Sequence, residues 1–142
     1  MKFTGLFLTL LTLFQLRAAT PNSPHNLRCY DKINPIGIDN EPYFGWHFFD
    51  ANNDEIQSAY QIIVASSKLK IDSNIGDIWD SEKVESRMQN YVYFKGSKLS
   101  AAKQYFWKIR TWDKNGNIGP YSKSATFSTG LLKTATGKEQ NG

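Results

Sequence analysis

With Cys29 as its only cysteine, the chain has no internal disulfide available, unlike the many small exported domains that depend on such bridges, so its stability must come from a hydrophobic core. Cys29 is separated from the apolar leader by Pro21, Pro24 and Arg28. That is the wrong place for a lipid anchor, and the residue reads as a small buried side chain on a strand. Histidine is nearly as scarce. His25 and His47 are far apart in sequence and have no cysteine partners, so a zinc set is not expected. No serine stands in a nucleophile-elbow context and no recognisable arrangement activates Cys29, which leaves nucleophilic catalysis without a carrier. No cofactor is expected.

Charge of one sign is also missing. The 17 basic and 13 acidic residues are interspersed, whereas a nucleic-acid footprint clusters Lys and Arg on one face. No apolar run is long enough to span a bilayer comfortably. The longest, Phe3 to Leu16, is broken by Thr4, Thr9 and Thr12, and a membrane helix needs about 20 residues. Preceded by Lys2 and followed by Ala18 and Ala19, this run has the form of a secretory signal. Residues 1–19 are therefore assigned to a removable leader, with cleavage after Ala18, Ala19 or Thr20 left open because Arg17 crowds the junction. The mature chain is expected to be secreted or periplasmic, without membrane contact once the leader is cleaved, with a retained anchor as the minority alternative. What remains is about 120 residues, the size of one domain with one core.

Helical periodicity is the last absence. From His25 onward apolar residues alternate over short stretches broken by Gly, Asn, Asp and Pro, an all-β pattern. The clearest strands are 27–31, 43–49, 59–66, 90–94, 105–113 and 121–128. Turn signals fall between them at Asn34-Pro35 with Gly37, Asn52-Asn53-Asp54, Lys95-Gly96-Ser97 and Lys114-Asn115-Gly116-Asn117. About seven short antiparallel strands in two sheets is the expectation for an immunoglobulin-like or fibronectin type III sandwich over residues 24–131. Trp46, with Phe44 and Phe48 on its strand, suits a central core tryptophan. Leu99 followed by Tyr105 suits the tyrosine corner of such sandwiches.

The two-residue strand period assigns sides. If Tyr105 points inward, so do Trp107 and Ile109, and Phe106, Lys108, Arg110 and Trp112 point out. Likewise Tyr60, Ile62 and Val64 form an inner row, while Gln61, Ile63 and Ala65 face outward. The two strands are neighbours in a fibronectin-type sheet, so Ile63, Phe106 and Trp112 are predicted to share an exposed outer face with Arg110 beside them. Contiguous exposed apolar surface usually marks a contact.

Other candidates are weaker. Asp77, Asp80, Glu82 and Glu85 form the only dense acidic group. Two-carboxylate chemistry needs a spaced pair with one raised pKa, but this group lies among Lys83 and Arg87 in what reads as a solvated connection. The segment from Asp50 to Glu55 has calcium-like composition without the ordered spacing of a binding loop, and reads as a polar hairpin turn. Among the tryptophans, Trp46 and Trp107 are core and Trp79 closes a loop over the sandwich edge. Trp112, with Phe106 and Arg110, is the one placed for recognition.

Several stretches in order carry a resemblance: Asn34-Pro35-Ile36-Gly37-Ile38-Asp39, Pro42-Tyr43-Phe44-Gly45-Trp46, Gln57-Ser58-Ala59-Tyr60-Gln61-Ile62, Ile78-Trp79-Asp80-Ser81-Glu82-Lys83-Val84, Tyr105 through Asp113, and Phe127-Ser128-Thr129-Gly130-Leu131-Leu132. Together they resemble the N-terminal fibronectin type III-like domain of bacterial α-L-rhamnosidases of glycoside hydrolase family 78. The resemblance implies a non-catalytic accessory domain whose partners are the downstream domains of its parent glycosidase, with rhamnose-containing glycans as a further candidate partner. It places the family's catalytic carboxylates beyond this sequence. Glu82 stands where the family often has glycine, which would strain a turn needing positive φ.

After Leu132 the family usually continues with an Asp-Trp-Lys-like run. Residues 132–142 instead read as a disordered tail, and back-translation from the third base of the Ala135 codon permits the missing family-like residues in another frame. A frame-shifted tail is therefore expected. Two function classes are open: a structural accessory domain packed on the rest of a secreted α-L-rhamnosidase, or a stand-alone carbohydrate-binding or adhesion module.

Overall fold

The computed structural model describes residues 19–49 and 56–132. Residues 1–18, 50–55 and 133–142 lie outside the described residues, and with them fall the expected leader, the expected polar turn at Asp50 to Glu55 and the expected tail.

Among the described residues, eight strands and one short helix run in order: β1 (His25–Cys29), β2 (Tyr43–His47), β3 (Ala59–Ala65), α1 (Lys68–Asp72), β4 (Trp79–Asp80), β5 (Val84–Glu85), β6 (Val92–Tyr93), β7 (Gln104–Trp112) and β8 (Ala125–Ser128). They form two antiparallel sheets. The smaller has the order β1-β2-β6, and the larger has β3 between β7 and the two short strands β4 and β5, with β8 outside β7. The chain after β1 crosses to the larger sheet, where Ile38 pairs in parallel with Thr129. The Ile38 amide donates to the Ser128 carbonyl at 2.9 Å, and Gly130 returns a bond to Ile38 at 2.8 Å.

The central pairing is the expected one. β3 and β7 run side by side with Ile62 opposite Ile109 and Val64 opposite Trp107. The inner rows Tyr60, Ile62, Val64 and Tyr105, Trp107, Ile109 meet Phe44, Trp46 and Phe127 in one core, joined by Cys29 and Val92. Burial holds the Cys29 thiol protonated, its pKa pushed up to about 12. The tyrosine corner forms: Tyr105 Oη accepts the Ser100 amide at 2.8 Å, with Leu99 packed on the core. Trp79 lies on β4 with its ring stacked 6.1 Å from Phe44 and edge-on to Phe94 at 5.4 Å.

Gln57 carries no core signal in the sequence, yet it is fully buried. Its Oε1 accepts the Trp46 indole N–H at 2.9 Å, and its amide nitrogen donates to the carbonyls of Ser86 and Met88 at 3.0 and 2.9 Å. A buried amide is tolerable because every polar end is matched. It also ties the loop after β5 to the core tryptophan.

The outer face of the larger sheet departs from expectation. The side assignment holds, but the face is not open, because α1 lies across it. Ile71 of α1 packs on Ile63 and Ala65, with Phe106 and Tyr121 at the margin, and Ile63, Ala65 and Ile71 are all completely buried. Ser67 caps the helix by accepting the Lys70 amide at 3.3 Å, and Lys68 pairs with Asp72 at 2.6 Å. Beyond α1, Asp77 anchors the return. Its carboxylate accepts from the Ser66 amide at 2.9 Å and hydroxyl at 2.6 Å, and from Lys70 Nζ at 2.7 Å. Burial alone would raise the Asp77 pKa, but these hydrogen bonds and the lysine charge outweigh it and bring the value down to about 2.

Candidate functional site

The predicted contact residues Ile63, Phe106, Arg110 and Trp112 do share one side of the larger sheet, but not as an exposed apolar surface. Ile63 is sealed under α1 and Phe106 is half-buried beside it. Trp112 is only 9 % exposed. Lys83 Nζ and the Arg110 guanidinium sit 5.4 and 5.5 Å from its ring centroid. Arg110 also lies 4.7 Å over Tyr121 and donates through Nε to Gln61 Oε1 at 2.8 Å, while Gln61 donates to Asp80 at 2.8 Å. The reason is local: a five-residue helix and the Tyr121 loop lay their own side chains over the face that strand alternation leaves outward. This row is occupied within the domain itself.

The acidic group is likewise engaged. Besides Gln61, Asp80 Oδ1 accepts the Glu82 amide at 2.8 Å, and Lys83 pairs with Glu85 at 2.8 Å. Glu82 does adopt positive φ, at 53°. The turn keeps the conformation that glycine would favour, with the Asp80 carboxylate holding its amide. His25 and His47, distant in sequence, are brought together across β1 and β2 with ring centroids 5.6 Å apart and Phe49 beside His25 at 6.1 Å. Among the described residues no group of three His, Cys, Asp or Glu side chains could hold a metal ion. No helix of the described residues is long and apolar enough to cross a membrane.

The face that stays open is on the smaller sheet. Phe44 and Trp46 point inward from β2, which turns Tyr43, Gly45 and His47 outward. Tyr43 stands opposite Tyr93 of β6. Four tyrosines gather here: Tyr43 lies 4.6 Å from Tyr30, 5.4 Å from Tyr91 and 5.7 Å from Tyr93 between ring centroids. Tyr91 and Tyr93 are each 54 % exposed. Tyr43 Oη donates to Asp31 at 2.7 Å, and this bond to the carboxylate pushes its pKa up to about 12. The sequence carries a signal for this cluster, the alternation Tyr91-Val92-Tyr93 with Val92 inward, but the partners are spread from residue 30 to residue 93.

Beside the tyrosines runs a groove of about 400 Å³ whose lining includes Arg28, Asp31, Gly45, His47 and Asn90. Gly45 lets the Asn90 side chain lie across β2, since a Cβ there would meet Asn90 Oδ1 at 2.7 Å. Arg28 Nε donates to Asn26 at 3.1 Å.

Two packed antiparallel sheets, a chain crossing from one to the other after β1, and a tyrosine corner define an immunoglobulin-like β-sandwich domain. Residues 24–133 match the family described as Rha78A-like, N-terminal immunoglobulin domain, and the chain belongs to that family. An α-L-rhamnosidase of Formosa agariphila is 42% identical over 102 residues, covering 71% of this chain and 11% of that protein. The structure of an α-L-rhamnosidase from Dictyoglumus thermophilum aligns with a TM-score of 0.78 and 41% identity, over 82% of this chain and 13% of that one. That of Streptomyces avermitilis α-L-rhamnosidase complexed with L-rhamnose aligns with a TM-score of 0.73 and 33% identity, over 78% of this chain and 11% of that one. The chain thus spans about a tenth of the relatives it matches. It corresponds to a small N-terminal domain of such enzymes.

Proposed function

We propose that this chain is the non-catalytic accessory domain of a secreted α-L-rhamnosidase and that it packs against the domains downstream of it in the parent. The supporting observation is the match of nearly the whole sandwich to an N-terminal domain of proteins of which it covers only 11–13%. Export to the periplasm or medium rests on Lys2, the run from Phe3 to Leu16 and the small residues after it.

The pole where the chain leaves the sandwich is the surface best suited to that packing. Here residues 35–39 pair with residues 128–130. Ile36 and Leu131 are 89 and 85 % exposed, and Leu132 borders a groove with Pro42 and Phe94. Bare aliphatic side chains at the exit of an N-terminal domain suit burial against the next domain.

A domain exchange tests the reading. The chain alone should not turn over a chromogenic α-L-rhamnoside. Replacing the matched domain of the Dictyoglumus thermophilum enzyme with this chain should keep a stable, active protein, whereas deleting that domain should lower its thermal stability. Turnover by the chain alone, or an exchange no more stable than the deletion, would overturn it.

A further inference from the structure

We infer that the outer face of the β1-β2-β6 sheet is a binding site for a neutral glycan, with the tyrosine cluster as stacking platform and the Gly45 groove as the track for its hydroxyls. This goes beyond the docking role and does not depend on it.

Three observations carry the inference. First, the rings form a continuous patch centred on Tyr43, and Tyr91 and Tyr93 present about half their surface to solvent. Aromatic faces suit the C–H faces of pyranose rings, which are apolar on one side and polar at the rim. Second, the outward positions of this sheet hold aromatic and polar residues around Gly45 and no aliphatic side chain. The opposite outer face, which the domain closes upon itself, is built on Ile63, Ala65 and Ile71.

Third, planar hydrogen-bonding groups line the same groove. Arg28 Nη2, Asp31 Oδ1 and the Asn90 amide nitrogen make no hydrogen bond among the described residues. They supply donors and an acceptor of the kind that read vicinal hydroxyls. One cation against one anion leaves the groove near neutrality, which favours an uncharged sugar over a uronate or phosphate.

The test titrates the full purified chain with xylohexaose, mannohexaose and a rhamnan hexasaccharide, with polygalacturonate as anionic control. Binding is read by calorimetry and by amide chemical-shift changes. Saturable binding of at least one neutral probe is expected, with shifts confined to Arg28, Tyr43, Gly45 and residues 90–93. The double substitution Tyr91→Ser and Tyr93→Ser should weaken it about tenfold or more. Both rings are half-exposed, so unchanged tryptophan fluorescence and melting temperature should show the fold intact. Arg28→Met, which keeps the stem and removes the donors, gives a second, independent loss. The inference is overturned if no neutral probe binds, if only polygalacturonate binds, if both variants bind as the parent does, or if the shifts map to Trp112 instead. It is also overturned if this face becomes protected from hydrogen exchange in the domain-exchanged enzyme without added glycan, because it would then be an interdomain contact. Failure of the exchange experiment itself leaves the glycan measurement unaffected.

Discussion

Single side chains in this domain matter in proportion to how completely their polar ends are matched. Gln57 satisfies the Trp46 indole and two loop carbonyls at once. Gln57→Leu keeps the volume but strands a buried donor and two acceptors, and each unsatisfied group costs about 1–3 kcal/mol. The loop can relax toward water, so a loss of about 2–4 kcal/mol is expected in urea unfolding. Asp77 works differently, because it keeps contact with solvent and its ion pair is screened. Its folded pKa is depressed to about 2 from an ordinary 3.8. The stability it contributes is therefore fully present above pH 3.8 and is lost as pH falls from there toward 2. Asp77→Asn should be less stable than the parent at about pH 6, by about 1 kcal/mol. Urea midpoints measured from there downward should converge near pH 2.

At the scale of elements, α1 decides which face of the sandwich is open. Its five residues Lys68-Leu69-Lys70-Ile71-Asp72 bury only Ile71, while Leu69 is largely exposed. A helix this short shows no periodicity, so the sequence pattern marks the segment as connection and leaves Ile63 facing water. By contrast β3 and β7 are legible because seven and nine residues of alternation specify both register and side. The Leu99 and Tyr105 corner is legible because its spacing is local. The tyrosine face is not. Tyr30, Tyr43, Tyr91 and Tyr93 meet only after β2 has chosen β6 as its neighbour, a long-range pairing that composition does not announce. If α1 is truly part of the core, Ile71→Ala leaves a cavity over Ile63 and costs about 2–4 kcal/mol in chemical denaturation. Leu69→Ala on the same helix, with its side chain in water, should stay within about 0.5 kcal/mol. Equal small effects at both positions would mean that the helix rides loosely on the sheet and that the Ile63 face is open after all.

For the molecule as a whole, the two sheets present unequal surfaces. The larger is closed by α1, Tyr121 and the Arg110 contacts, the smaller presents its tyrosines and groove, and the exit pole presents Ile36 and Leu131. The proposed docking role needs one surface for the parent, and the pole is nearest the point where the chain leaves the sandwich. The pair Ile36→Ser and Leu131→Ser separates a docking role from an internal one. Both side chains are solvated in the chain alone, so its melting temperature should stay within a degree or two. In the domain-exchanged rhamnosidase the same residues would be buried, and removing each would cost about 1.5–3 kcal/mol of apolar burial. Scanning calorimetry of that protein should then show the sandwich melting earlier as a separate transition, because weaker coupling lets it unfold ahead of its neighbours. An equal drop in the isolated chain would mean that the pole holds the sandwich together, and no drop in either would place the contact elsewhere on the domain.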